Sequence, residues 1–114
     1  MADGVVLIDL EDGVKRVMNN KKLYIKLLTK FKDGTNLGDL ESAIAAGDLE
    51  KAQTAAHTIK GLAANLSFSE LFKQSLELET QIKAKTVNPG QMDTLKNVFA
   101  QTLGEIDKVI AENV

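Results

Sequence analysis

The stretch that decides the fold is residues 48–66, DLEKAQTAAHTIKGLAANL. Its apolar side chains recur at steps of three and four residues, which is the periodicity of an α-helix. Asp48 is a good N-cap, so a helix is predicted from this residue to about Leu66. On a helical wheel one broad apolar arc forms, made of Leu49, Ala52, Ala55, Ala56, Ile59, Leu62, Ala63 and Leu66. His57 lies close to the opposite side of that arc and is expected to face solvent.

The same periodicity continues on both sides of this stretch. Further helices are predicted at about 9–18, 20–32, 36–46 and 67–85, and a last long helix begins at Asn88-Pro89. Ser67-x-x-Glu70 has the pattern of a capping box that opens the 67–85 helix. The buried stripes are predicted to include Leu23 and Leu76, and Leu62 is expected to be absorbed by the core.

The predicted fold class is all-α. The connections between the predicted helices are short, and short loops make sequential helices antiparallel neighbours. We therefore expect an antiparallel up-down-up-down four-helix bundle with a short extra N-terminal helix. The length suits a single domain that covers residues 1–114.

The composition excludes several classes of site. The chain has 114 residues, no cysteine and one histidine, so disulfides, thiolate catalysis and the usual zinc sites are excluded. A net charge of −2 and 4% aromatic residues argue against a nucleic-acid partner. The apolar run from Val5 to Ile8 is too short for a signal peptide, and nothing reaches transmembrane length. We expect a cytoplasmic protein that binds no membrane, and Met1 favours a stand-alone protein.

The helix face around His57 is the one place where chemistry is indicated. Gly61 lies in mid-helix, where glycine costs about 1 kcal/mol relative to alanine, and this suggests close approach of another backbone. The small side chain of Ala64 leaves the helix surface unobstructed beyond the glycine, and Gln53 lies one turn before the histidine. Lys60 can place its ammonium beside a group on the imidazole. These residues fit a phosphoryl group on Nε2 of a nucleophilic histidine, and the alternative is an ordinary exposed histidine.

Residues 56–61, AHTIKG, resemble the His-x-x-Lys-Gly signature of histidine-containing phosphotransfer (HPt) domains. The likeness covers nearly the whole chain, and its further elements are Ile8–Gly13, Leu23–Phe31, Ala64, Leu66, Leu71 and the Leu78-Glu79 pair. The chain departs from the family pattern at two positions. Ser67 stands where the family usually has glycine, and Leu62 stands where a small residue is common.

The resemblance implies a four-helix bundle with an extra N-terminal helix, acting as a phosphorelay carrier without kinase activity of its own. His57 would accept a phosphoryl group from the phospho-aspartate of one receiver domain and pass it to another receiver. These receivers belong to response regulators or hybrid sensor histidine kinases. Lys60 would be the phosphate neighbour and Gly61 the clearance residue. No cofactor is expected on this chain, because the magnesium ion belongs to the receiver.

Glu79 lies on the buried stripe of its helix, whereas the wheel points His57 away from the core. In the chemotaxis-kinase branch of the family a glutamate at this spacing bonds the histidine ring. By that resemblance, Glu79 would accept a hydrogen bond from Nδ1 of His57 and leave Nε2 free. The alternative is a carboxylate at the edge of the stripe that reaches solvent. Lys83, one turn further on, is a second candidate for phosphate contact.

Two competing functions stay open at the level of sequence. The phosphoryl donor could be an ATP-binding kinase domain, as for chemotaxis-type domains, or the chain could be a helical adaptor without phosphate chemistry. The partner surface is expected to centre on residues 53–64 and to extend to Val14, Val17 and Met18. A modest, transient interface and a monomeric free protein are expected.

Overall fold

The computed structural model describes residues 6–113, so Met1 and Val5, which two expectations above involve, lie outside the described residues. The described part of the chain contains six α-helices and no strand. The helices are α1 (Leu10–Arg16), α2 (Lys21–Lys32), α3 (Asn36–Ala45), α4 (Leu49–Leu66), α5 (Ser69–Lys83) and α6 (Pro89–Glu112). The all-α prediction is confirmed, and the helix ends agree with the sequence pattern to within two residues.

Local capping explains where four of the helices begin. The side chains of Asp9, Asn20 and Asp48 each accept a hydrogen bond from the backbone N–H three residues later. The Asn88 side chain accepts from the Gly90 N–H at 2.8 Å, and proline follows at the first helical position. Each bond satisfies a donor that the first helical turn leaves unpaired, which is worth about 1 kcal/mol.

The predicted capping box at Ser67 is wrong. Ser67 ends α4 in the left-handed conformation, with φ of 62°, and its hydroxyl donates to Oδ2 of Asp12 at 2.6 Å. The α5 helix begins two residues later, after Phe68, without a side-chain cap. Ser67 is thus the C-cap of α4, and Phe68 rather than Ser67 is the N-cap residue of α5. Glycine adopts this conformation without strain, which gives a physical reason for the glycine usual at this position.

The core lies between α2, α4, α5 and α6, and α3 adds Leu40 and Ala43 to it. The α4 helix packs against α2, α3 and α5. The α6 helix contacts α2 and α5, and α1 lies on α2 and α4. Phe31 is buried at the centre, with its ring centroid 5.0 Å from that of Phe68 and 5.3 Å from that of Phe99. Burying each such side chain stabilises the fold by about 1.5–3 kcal/mol.

A tyrosine joins the N-terminal helix to this core. Tyr24 is fully buried, and its hydroxyl donates to the carbonyl oxygen of Leu66 at 2.6 Å. Burial raises the pKa of Tyr24 well above its usual range, so the hydroxyl stays protonated. A Cβ on Gly13 would lie 2.5 Å from the Tyr24 ring, which explains the glycine inside α1.

Two leucines assigned to buried stripes are exposed. Leu23 precedes the buried Tyr24 on α2, and Leu76 follows the buried Ser75 on α5. Each lies about 100° around the helix from its buried neighbour, which is beyond the arc that the packed helices cover. Leu62 is partly buried against the core, as expected. Among residues 6–113, no helix is long and apolar enough to cross a membrane.

Candidate functional site

His57 projects from the middle of α4 with its side chain 68% exposed. The neighbouring side chains of Ala56 and Ile59 are fully buried and fix the rotation of the helix about its axis. The orientation predicted from the helical wheel is therefore the one observed. The ring is held on a rigid element, and one of its edges is open to a partner.

Glu79 on α5 meets the other edge of the ring. The distance between Nδ1 of His57 and Oε2 of Glu79 is 3.0 Å. The second carboxylate oxygen, Oε1, lies 2.6 Å from Nζ of Lys60. Nζ of Lys83, one turn along α5, lies 3.9 Å from Oε2. Four of the sequence-predicted site residues therefore meet at one carboxylate.

The Glu79 side chain is buried, with 3% of the residue exposed. The alternative of a carboxylate at the stripe's edge that reaches solvent is therefore wrong. Burial raises the pKa of Glu79, but hydrogen bonds from Lys60 and His57 outweigh burial and hold that pKa below its usual range. The carboxylate is ionised at neutral pH, and a buried charge of this kind requires the partners that it has here.

The ionisation of Glu79 decides which nitrogen of His57 carries the proton. An ionised carboxylate has no hydrogen to donate, so Nδ1–H of the ring must be the donor in the 3.0 Å contact. In the neutral ring Nε2 then keeps its lone pair. The site presents a nucleophilic nitrogen on the exposed edge of the ring, with its tautomer set from the buried side.

The surface next to His57 is low and open. A Cβ built on Gly61 would meet nothing within 4 Å, so the chain's own packing does not require glycine there. Ala64 lines a depression of about 260 Å³ with Arg16 and Phe72. Gln53 is half-buried and forms no hydrogen bond with His57 or Glu79 among the described residues. Gly61, Ala64 and Gln53 thus flank the ring but do not touch it through polar contacts.

One contact of this site was missed by the sequence analysis. Lys60 was assigned as a phosphate neighbour, whereas its ammonium is bound to Glu79. The sequence did contain a signal for this contact, because Glu79 places a carboxylate inside an apolar stripe and a buried charge needs an oppositely charged partner nearby. His57 and Lys60 are three residues apart and therefore share one flank of α4. Residues 6–113 contain no cluster of three acidic or histidine side chains that could hold a metal ion.

Comparison with known proteins adds one finding. The family model described as the Hpt domain matches residues 27–107, which is well over half of the chain. His57, Lys60, Gly61, Glu79 and Lys83 all lie inside the matched segment, whereas α1 lies outside it. No curated protein and no solved structure matches the chain significantly.

Proposed function

The chain belongs to the Hpt domain family, and on this premise we propose that Nε2 of His57 carries a phosphoryl group between the aspartates of two receiver domains. Hpt domains are phosphocarrier modules of two-component signalling and interact with receiver domains. The observation that carries the proposal is the 3.0 Å contact between Nδ1 of His57 and the ionised Glu79. It leaves the lone pair on the exposed nitrogen.

The transfer step follows from this tautomer. The Nε2 lone pair forms the nitrogen–phosphorus bond while the bond between phosphorus and the aspartyl oxygen of the donor breaks. The aspartate leaves as a carboxylate, and the imidazole ring gains positive charge. That charge develops beside the carboxylate of Glu79, which stabilises it, and the reverse step delivers the phosphoryl group to the next receiver.

The surroundings of the ring fit a phosphoryl carrier whose catalytic groups are supplied by the partner receiver. The ammonium groups of Lys60 and Lys83 lie around Glu79, so the site holds positive charge close to the ring that would carry the phosphoryl group. Gly61 leaves room for the rim of a receiver's active site. We assign the magnesium ion to the receiver, and we propose that the chain has no kinase activity of its own.

The proposal includes the arrangement of the molecule. We propose an antiparallel up-down-up-down bundle of α2, α4, α5 and α6, flanked by the short α1, in a monomer that is a single domain. Support comes from the closed ring of contacts among these four helices and from the short segments that join α4 to α5 and α5 to α6, while α3 lies in the chain between α2 and α4. The partner surface would centre on residues 53–64 of α4 and include Val14, Val17 and Met18, of which Met18 is highly exposed.

A second candidate keeps the phosphohistidine and changes the donor. In chemotaxis-type domains the phosphoryl group comes from a separate ATP-binding kinase domain, and a glutamate bonds the histidine ring. By that resemblance, the contact between Glu79 and His57 supports this candidate as well as the first one, because it prepares Nε2 for either donor. Here Nε2 would bond to the γ-phosphorus of ATP while the bond to the β,γ-bridging oxygen breaks and ADP leaves, and a receiver would then take the phosphoryl group from this chain.

The decisive experiment compares donors on the intact chain. The chain and a His57→Gln variant are incubated with a radiolabelled, phosphorylated receiver, and in parallel with a kinase core and ATP. We expect acid-labile, base-stable label on the wild-type chain alone, and the more effective donor decides between the two candidates. The glutamine amide can still donate to Glu79, and thermal unfolding of His57→Gln is the control that this variant is folded. No label from any donor would support the adaptor alternative.

A further inference from the structure

The two lysines beside Glu79 are held in different ways. Lys60 Nζ lies 2.6 Å from Oε1, and its side chain is 21% exposed. Lys83 Nζ lies 3.9 Å from Oε2, and its side chain is 57% exposed. We propose that Lys83 is the lysine that contacts the phosphoryl group on His57, while Lys60 stays bound to Glu79. The inference rests on the proposed phosphorylation of His57.

Lys60 is committed to the carboxylate. Its distance from Oε1 is that of a short, charge-assisted hydrogen bond, and the bond lies at a buried atom. If the ammonium left for a phosphate, Glu79 would lose the first of the hydrogen bonds that offset its burial. A buried carboxylate deprived of its partner is strongly unfavourable. Lys60 therefore acts on His57 through Glu79, as a positioning residue.

Lys83 is free to move. A separation of 3.9 Å is beyond hydrogen-bond range, so the ammonium leaves Oε2 without breaking a bond. The same oxygen atom accepts from Nδ1 of His57, which places the ammonium beside the ring before any phosphoryl group arrives. The flexible stem of an exposed lysine can carry the charge the remaining distance to a group on Nε2.

The sequence pattern alone favours the opposite assignment, since Lys60 belongs to the His-x-x-Lys-Gly signature. Lys83 is recognised through its helix instead. It lies four residues after Glu79 on α5, and therefore on the same side of that helix. Lys83 on α5 thus supplies the phosphate contact, and Lys60 on α4 supplies the counter-ion of Glu79.

Chemical phosphorylation tests this assignment without any partner protein. Potassium phosphoramidate phosphorylates the intact chain as Nε2 attacks phosphorus, the phosphorus–nitrogen bond of the reagent breaks, and ammonia leaves with a proton. Rates are measured by ³¹P NMR at low and at high salt for Lys83→Gln, Lys60→Gln and Lys83→Arg. Lys73→Gln is the matched control, because Lys73 is an exposed lysine on the same helix. Ring ¹⁵N shifts of His57 are recorded before the reagent is added.

At low salt we expect Lys83→Gln to form phosphohistidine about twofold to fivefold more slowly than the control, as for loss of an exposed ion pair. High salt should abolish that difference by screening, and Lys83→Arg should retain the wild-type rate. Lys60→Gln should shift the ring ¹⁵N signals of His57, and its slower formation of phosphohistidine should persist at high salt.

Equal rates for Lys83→Gln and Lys73→Gln would overturn the assignment of Lys83. A salt-sensitive deficit in Lys60→Gln with unshifted ring signals would assign the phosphate contact to Lys60 instead. Either result leaves the phosphocarrier proposal intact, since the wild-type chain would still be labelled. Absence of phosphohistidine from the wild-type chain would overturn both proposals together.

Discussion

Replacing Gly61 with alanine should stabilise the free protein and impair its encounter with a receiver. Gly61 lies inside α4, and a Cβ there meets nothing within 4 Å. Glycine in a helix interior costs about 0.5–1 kcal/mol relative to alanine. At about 2.1 cal/mol/K of unfolding entropy per residue, that gain raises the midpoint of thermal unfolding by roughly 2–4 °C for a chain of this length.

Gly104→Ala is the matched control. Gly104 lies inside α6, and its Cβ would also meet nothing within 4 Å, so the expected gain in stability is the same. Thermal unfolding followed by circular dichroism measures both variants. Transfer from a phosphorylated receiver should be slower for Gly61→Ala and unchanged for Gly104→Ala. A Gly61→Leu variant enlarges the effect to about fivefold to 150-fold, as overpacking of a close contact costs about 1–3 kcal/mol.

Chemical phosphorylation separates clearance from chemistry. Phosphoramidate is small, so all three glycine variants should react with it at the wild-type rate. Receiver transfer at the wild-type rate by Gly61→Leu would refute the clearance role of this glycine. A lower unfolding temperature for Gly61→Ala would refute the structural premise, because it would mean that the added methyl group is not accommodated.

Three further changes test the buried features of the fold and site. Glu79→Gln should slow phosphorylation of His57 roughly tenfold to hundredfold, as for loss of a hydrogen bond to a charged group. In urea titrations, the free energy of unfolding of this variant should fall less than that of the wild-type chain when the pH is lowered below about 4.5. The pKa of Glu79 lies below its ordinary 4.5 in the folded chain, so its ion pairs stabilise the fold above that pH and are lost as pH falls through the folded value. Ser75→Ala should leave the free energy of unfolding unchanged or raise it by up to about 2 kcal/mol, since the buried Ser75 hydroxyl has no hydrogen-bond partner within residues 6–113; a clear loss on urea unfolding would contradict this. Gly13→Ala should destabilise the fold by roughly 1–3 kcal/mol, because its Cβ would lie 2.5 Å from the Tyr24 ring, and an unchanged midpoint would count against that contact.

Much of the fold was predictable because helix boundaries depend on local chemistry. The caps at Asp9, Asn20 and Asp48 act over three residues, and the pair Asn88-Pro89 acts over two. Apolar periodicity then fixes which side of each helix faces inward. Both signals are contained in a single segment, so neither requires knowledge of what that segment packs against.

The junction between α4 and α5 was not predictable in this way. Ser67 has the chemistry of a cap, and its sequence context fits a capping box. Its hydroxyl instead donates to Asp12, more than fifty residues away in the chain, and its backbone N–H closes the end of α4. Hydrogen bonds from Ser67 and Arg16 hold the pKa of Asp12 below its usual range, so this carboxylate stays ionised and accepts both bonds. The outcome depends on tertiary placement of α1, which no local pattern reports.

The contact between His57 and Glu79 shows why a helical wheel alone could not place the site. A wheel gives the direction of a side chain from its own axis, whereas the contact depends on how closely the flanks of two packed helices approach. Burial removes water from the Glu79 carboxylate. Two groups of α4, three residues apart, take the place of that water: the ring of His57 and the ammonium of Lys60. Because Nδ1 of His57 bonds to the buried carboxylate, the Nδ1 edge of the ring faces inward and the Nε2 edge faces outward. Burial of the carboxylate and exposure of the nucleophilic nitrogen are therefore two consequences of one packing arrangement.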